Sequence, residues 1–127
     1  NPHCVIFKQP GEAWTREDLL TLGPALENHS LFPKRTNVQL AVPTGPKDIF
    51  ILIWERGAGE TQASGSSSCA AASAAVRLGL VKGPVTVKMP GGTLNIEVAQ
   101  DFSLTMKGPV AEVARGALSP SFVRGLK

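Results

Sequence analysis

Apolar and polar positions divide the chain into short β-type runs on either side of one helix built from small residues. Cys4-Val5-Ile6-Phe7 is β-branched and aromatic, so it predicts a buried strand, closed by the turn residues Gln9-Pro10-Gly11. Thr15 with Asp18 three residues later marks a helix start. Leu19, Leu20, Leu22 and Leu26 give that helix an apolar face, and Gly23-Pro24 interrupts it, which predicts two short helical pieces. Leu31-Phe32-Pro33 leads into Asn37–Val42, whose alternation predicts a half-buried strand; Pro43-Thr44-Gly45-Pro46 reads as a turn. Ile49–Trp54 is the strongest strand signal in the chain.

The pattern then changes. Glu55–Thr61 reads as a glycine-bearing loop, and from Ser66 to Leu78 nearly every side chain is small. Alanine is the best helix former, and a helix of small residues suits close packing by its neighbours, so this segment predicts a central helix ended by Gly79 or Gly83. Val85–Met89, Leu94–Val98 and Phe102–Met106 alternate with period two and predict an antiparallel meander, to which Pro109–Gly116 adds one more strand. The expected architecture is α+β: a single domain over residues 1–127, with a curved, mixed, mostly antiparallel sheet or barrel wrapped around the small-residue helix.

Composition narrows the function classes. With 127 residues, 43 % apolar and 18 % charged, the chain can bury a core without staples. No apolar run approaches the length of a membrane span, and the amino-terminal residues show no signal pattern. The 13 Lys and Arg residues are scattered rather than gathered on one segment, which argues against nucleic acid as a partner at a net charge of only +3. Cys4 and Cys69 have no zinc-type spacing and form no disulfide framework; both read as small buried hydrophobes in a cytoplasmic protein, with no metal or cofactor implied.

Candidate chemistry concentrates at the loop-to-helix junction Ser64-Gly65-Ser66. A helix N-terminus offers free amides and partial positive charge to a carboxylate, and Gly65 permits close approach there. On the local pattern alone, Ser64 or Ser66 is more often a plain N-cap. Glu55-Arg56 closes the strongest strand; the arginine fork suits a substrate carboxylate, although an ion pair at a strand end reads the same way. His3, beside an apolar run, is by itself more often structural or exposed than catalytic.

Taken together, Asn1-Pro2-His3-Cys4, Leu22-Gly23-Pro24, Phe32-Pro33, Asn37-Val38, the block Glu55-Arg56-Gly57-Ala58-Gly59-Glu60-Thr61, Gly65-Ser66 and Pro90-Gly91-Gly92-Thr93-Leu94 resemble the diaminopimelate epimerase family, in order and over Asn1 to about Gly116. The resemblance implies the C-terminal half of a two-domain enzyme without pyridoxal phosphate. Such an enzyme interconverts LL- and meso-diaminopimelate, in lysine and cell-wall precursor biosynthesis, by two-base proton transfer. Each half is expected to supply one cysteine from the N-terminus of its central helix. By position, Asn1, Asn37, Glu55 and Arg56 match substrate-contacting residues, with Arg56 on the distal carboxylate. Gly65 and Ser66 match the amides that grip the reacting carboxylate. His3 and Glu55 match positions that tune the cysteines or assist near the substrate amine, and Ser64 falls on the second catalytic cysteine.

That serine is the main departure from the family pattern. A thiol at a helix N-terminus can ionise near neutrality, whereas an alcohol needs a dedicated base. The implied partners are a diaminopimelate-like amino acid and either the missing N-terminal half or a homodimer mate. This half alone is expected to be inactive or strongly impaired. Because of Ser64, a catalytically silent amino-acid-binding module or a one-base lyase stays open beside the epimerase.

Overall fold

The computed structural model describes residues 1–126. Seven strands form one sheet in the order β1-β2-β3-β5-β6-β7, with a short β4 paired to β3 off this path. In chain order these are β1 (His3–Phe7), β2 (Asn37–Gly45), β3 (Asp48–Glu55), β4 (Gly59–Thr61), β5 (Val85–Met89), β6 (Gly92–Val98) and β7 (Leu104–Lys107), with helices α1 (Arg16–Glu27), α2 (Gly65–Arg77) and α3 (Pro120–Arg124). The β1–β2 and β3–β5 pairings are parallel and the remaining four antiparallel. The class is therefore α+β and mostly antiparallel, as expected. The sheet is nevertheless open, with β1 and β7 as its edges, and not a closed barrel.

Two helices cover opposite faces of the central strands. Ile49, Ile51 and Ile53 of β3 alternate toward α2, where Ala71, Ala72 and Ala75 join them in the main core with Val85, Val87 and Ile96. Alanines let α2 lie close enough to touch every strand of the path from β1 to β7. On the other face Leu19 of α1 packs with Val38 and Leu40, flanked by Leu52 and Trp54. The half-buried β2 of the sequence pattern is thus buried on both faces from Asn37 to Pro43, because β1 and β3 flank it and a helix lies over each side. Its alternation records two different cores rather than core and solvent.

Several local expectations are corrected. The α1 segment is one helix through Pro24, not two pieces. Thr15 caps it with the reciprocal Asp18 bond, as the spacing implied. Gly23 serves packing, since a Cβ there would lie 2.6 Å from the Trp54 ring. The turn after β2 falls at Pro46-Lys47, and the expected loop 55–61 is a tight turn whose last residues pair with β3 as β4. The helix α2 ends as foreseen at Gly79, at φ +70, with Gly79 N bonding Val76 O and Leu80 N bonding Ala75 O. Pro109–Gly116 forms no strand; its apolar residues Val110 and Val113 are almost fully exposed, so alternation there meets no pairing edge.

Gly23→Ala tests the first correction. Alanine favours the helix by about 1 kcal/mol, but forcing a methyl into a packed indole costs about 1–3 kcal/mol. A net loss of about 1 kcal/mol is expected in urea unfolding; a stabilised variant would show that Trp54 is not held in place.

Candidate functional site

His3, Asn37 and Glu55 lie on the α2 side of the sheet, at the end where β1 and β2 begin and β3 finishes, whereas Arg56 lines a separate depression from Ser64 and Gly65. Register pairs His3 with Asn37, and the Val38–Trp54 pair places Asn37 opposite Glu55. His3, Asn37 and Glu55 therefore form a row across three strands. Strand alternation turns them to the same side as Val5, Ala41 and Ile53, the side that packs on α2.

Asn37 is buried and fully engaged. Its Nδ2 donates to Asn1 Oδ1 at 2.8 Å and to Pro2 O at 3.0 Å, and its Oδ1 accepts from Arg56 N at 2.9 Å. It ties the start of β1 to the turn after β3. Arg56 follows Glu55, and its guanidinium donates to Lys34 O at 3.0 Å. This sets it beside Pro2, Phe32 and Pro33 in an open, apolar-walled depression that also holds Arg35. Cation next to apolar surface is an arrangement that can take a carboxylate on an aliphatic stem.

His3 is half-buried. Burial pushes its pKa below the ordinary 6.5, with the Glu55 charge acting in the opposite direction. Its Nδ1 lies 3.0 Å from Gln39 Nε2, which also donates to Ser67 Oγ at 2.9 Å. Through Gln39 the row on the sheet is connected to the first turn of α2.

At that turn Ser64 is the N-cap in extended conformation, φ −155, and its Oγ accepts the Ser67 amide at 3.4 Å. Its carbonyl accepts from the Ser68 amide at 3.1 Å and from the Ser68 hydroxyl at 2.8 Å. Bonding of the first turn thus begins at Ser67, and the Gly65 and Ser66 amides precede it, free to meet an anion. A cleft of about 240 Å³ opens here between Ala63, Ser64, Gly65, Gly92, Thr93 and Leu94. The close neighbour at Gly65 is the flexible Met106 side chain, whose Sδ would be 3.0 Å from a Cβ and would have to shift slightly to admit one. The cap expected of Ser64 is present at this turn.

Two groups escaped the sequence reading. Gln39 is a polar residue inside an apolar strand, and that misfit was its only signal. Glu27 ends α1, where a carboxylate opposes the helix dipole. It is buried, accepting from Gly57 N at 2.8 Å and Arg35 Nη1 at 2.9 Å on Oε1 and from Trp54 Nε1 at 2.8 Å on Oε2. The Trp54 bond, then the Gly57 amide and Arg35, hold its pKa below the ordinary 4.5 against the effect of burial. Gly57, at φ +80, lies one residue beyond Arg56, so Glu27 fixes the turn that presents the arginine.

Cys4 and Cys69 are both free, and burial raises both thiol pKa values. No helix among the described residues is long and apolar enough to cross a membrane.

Comparison with known proteins gives three findings. A family model described as diaminopimelate epimerase matches residues 1–113. The chain is similar to diaminopimelate epimerase of Desulfitobacterium hafniense, 44 % identical over 93 % of this chain and 41 % of that protein, and to that of Rhodospirillum centenum, 46 % identical over 98 % and 42 %. It spans about two fifths of these relatives' length and corresponds to their C-terminal half. Among solved structures, a phenazine biosynthesis protein of the PhzF family from Bacillus anthracis is similar in fold, with a TM-score of 0.55 at 14 % identity over 80 % of this chain and 33 % of that one.

Proposed function

This chain belongs to the diaminopimelate epimerase family, and we propose that it forms one domain supplying half of the site of a cofactor-independent amino acid epimerase acting on diaminopimelate. The observations that support the proposal are two separate features suited to anions: the Gly65 and Ser66 amides at the start of α2, and the Arg56 turn braced by Asn37. A substrate with a carboxylate at each end needs two such features.

In this reading Gly65 and Ser66 grip the α-carboxylate and stabilise charge as the α-proton leaves. Arg56 holds the distal carboxylate, with Asn1 and Asn37 framing it. Glu55 and His3 stand near the reacting centre, and Ser64 occupies the place of a catalytic thiol. The opposite face of the substrate falls to a second half, and closing that half over the site excludes water. Because the chain spans about two fifths of its relatives, the test belongs to the whole protein.

A second reading has one observation behind it. The Ser64 hydroxyl accepts the Ser67 amide as a cap, and its other side-chain partner is Ser66 Oγ at 3.4 Å, a hydroxyl and not a base. An alcohol so placed does not abstract a carbon-bound proton at neutral pH. This favours a module that binds without turnover, or one-base elimination with the acid or base drawn from the other half.

Incubating the whole protein with diaminopimelate in deuterated water separates these readings. Deuterium at Cα with inversion supports the epimerase; exchange without inversion, or loss of ammonia, supports the lyase; binding without exchange leaves the silent module. In each case Arg56→Ala is expected to weaken binding at least tenfold, since it removes a charge-assisted fork. Unchanged affinity in that variant would remove Arg56 from the substrate site.

A further inference from the structure

His3 Nδ1 meets a residue that is shut off from solvent. Gln39 is fully buried in β2, with its Nε2 between His3 Nδ1 and Ser67 Oγ, at 3.0 and 2.9 Å. Its Oε1 is buried too and has no partner. A primary amide carries two N–H donors and one carbonyl acceptor. As it stands, both donors are engaged and a single oxygen is left over. The amide nitrogen faces both the ring and the Ser67 hydroxyl, so both N–H donors are used in this orientation.

Donation into Nδ1 requires a lone pair there. The ring is then neutral, with its hydrogen on Nε2. We propose that Gln39 is a positioning residue that locks His3 in the Nε2–H tautomer and joins it to the first turn of α2 through Ser67. His3 thereby offers its neighbours a hydrogen-bond donor rather than a base. The Ser67 hydroxyl is held from the sheet side while its amide caps onto Ser64 Oγ. A shift of the ring is thus transmitted to the turn that carries Gly65 and Ser66.

The other groups acting on the ring are known. Burial first, and then the amino group of Asn1, favour the neutral form, while Glu55 on β3 favours the cation; the Gln39 contact favours the cation only if its oxygen faces the ring, and with nitrogen there it favours the neutral ring. The first two turns of α2 bring Ser64, Ser66–Ser68 and Cys69 and no charged side chain. An amide oxygen on the ring would raise the His3 pKa, whereas an amide N–H donated to Nδ1 acts with burial to lower it. The orientation of Gln39 therefore determines the sign of its own contribution, beside the larger effect of burial.

This inference deepens the placement of His3 in the site, and its test needs no turnover. In nitrogen-15 labelled protein at pH above 7, long-range correlation of the His3 ring protons, assigned against His29, is expected to show hydrogen on Nε2. Hydrogen on Nδ1 would overturn the proposal. Gln39→Glu replaces donor by acceptor, and is expected to move the hydrogen to Nδ1 and raise the His3 pKa by about one unit or more. Gln39→Leu removes both and should leave a tautomer mixture. A natively folded Gln39→Glu protein whose His3 tautomer and pKa match the wild type would also overturn it; should neither variant fold, the wild-type tautomer still decides. A protein without epimerase activity but with the expected tautomer would defeat the functional proposal and leave this one standing.

Discussion

Ser64→Cys in the whole protein is expected to raise exchange of the diaminopimelate α-proton with solvent by about 10²- to 10⁴-fold, the range contributed by one well-placed acid or base. The fold already provides what a thiolate needs at this position. The N-cap lies at the positive end of a 13-residue helix, beside two amides without helix partners, and a helix N-terminus lowers a thiol pKa from near 8.5 toward neutrality. The serine hydroxyl gains no comparable acidity from the same surroundings. The substitution removes a cap bond of 3.4 Å, long enough that its loss costs at most about 1 kcal/mol. A gain in exchange accompanied by inversion would mean that residue 64 is the element that the epimerase reading lacks. No gain, with binding intact, would mean that the site was built for binding or for one-base chemistry, and that Ser64 belongs there as a cap.

The parts of this fold that the sequence revealed are those where one residue pattern has one physical outcome. Thr15 with Asp18 made a capping box, Gly79 made a helix end, and the alternation of Val85–Met89 and Leu94–Val98 made paired strands, the second beginning at Gly92. The failures share a cause: a local signal met a tertiary circumstance. Gly23-Pro24 looked like a break, but the glycine makes room for Trp54 and the helix runs on for three residues beyond the proline. Pro109–Gly116 looked like a strand, but a strand needs an edge to pair with. In β2, alternation between Val38, Leu40 and Gln39, Ala41 could not announce that both faces are covered. The site divides in the same way. His3, Asn37, Glu55, Arg56 and the Ser64–Ser66 turn were readable as motifs. Gln39, Ser67 and Glu27 connect those motifs across 28 to 36 residues, and apart from the polar misfit of Gln39 in an apolar strand they carry no local signature.

Glu27→Ala is expected to be the most damaging single change outside the hydrophobic core, at about 3 kcal/mol and about 10 °C in melting temperature. The carboxylate serves three donors at once, and its loss leaves Trp54 Nε1 and the Gly57 amide without partners in a buried place. It also releases Arg35, a non-glycine residue held at φ 60, which relaxes more readily once its partner is gone. Glu27→Gln keeps the shape but turns an N–H₂ group toward at least one of those donors, so about 2 kcal/mol is expected there. The pH dependence separates charge from shape. The folded carboxyl has a pKa below its ordinary 4.5, so its contribution is fully present above that value and is lost as pH falls through the lowered one. The stability gap between wild type and Glu27→Gln should therefore be constant near neutrality and shrink on the acid side of 4.5, as read by urea unfolding at successive pH values. A gap that stays constant into strong acid would mean that shape alone matters and that the charge at the end of α1 does not organise the Arg56-Gly57 turn. If the gap closes, Arg56→Ala and Glu27→Gln should weaken substrate binding through the same arginine, and the double variant should lose little more than Arg56→Ala alone.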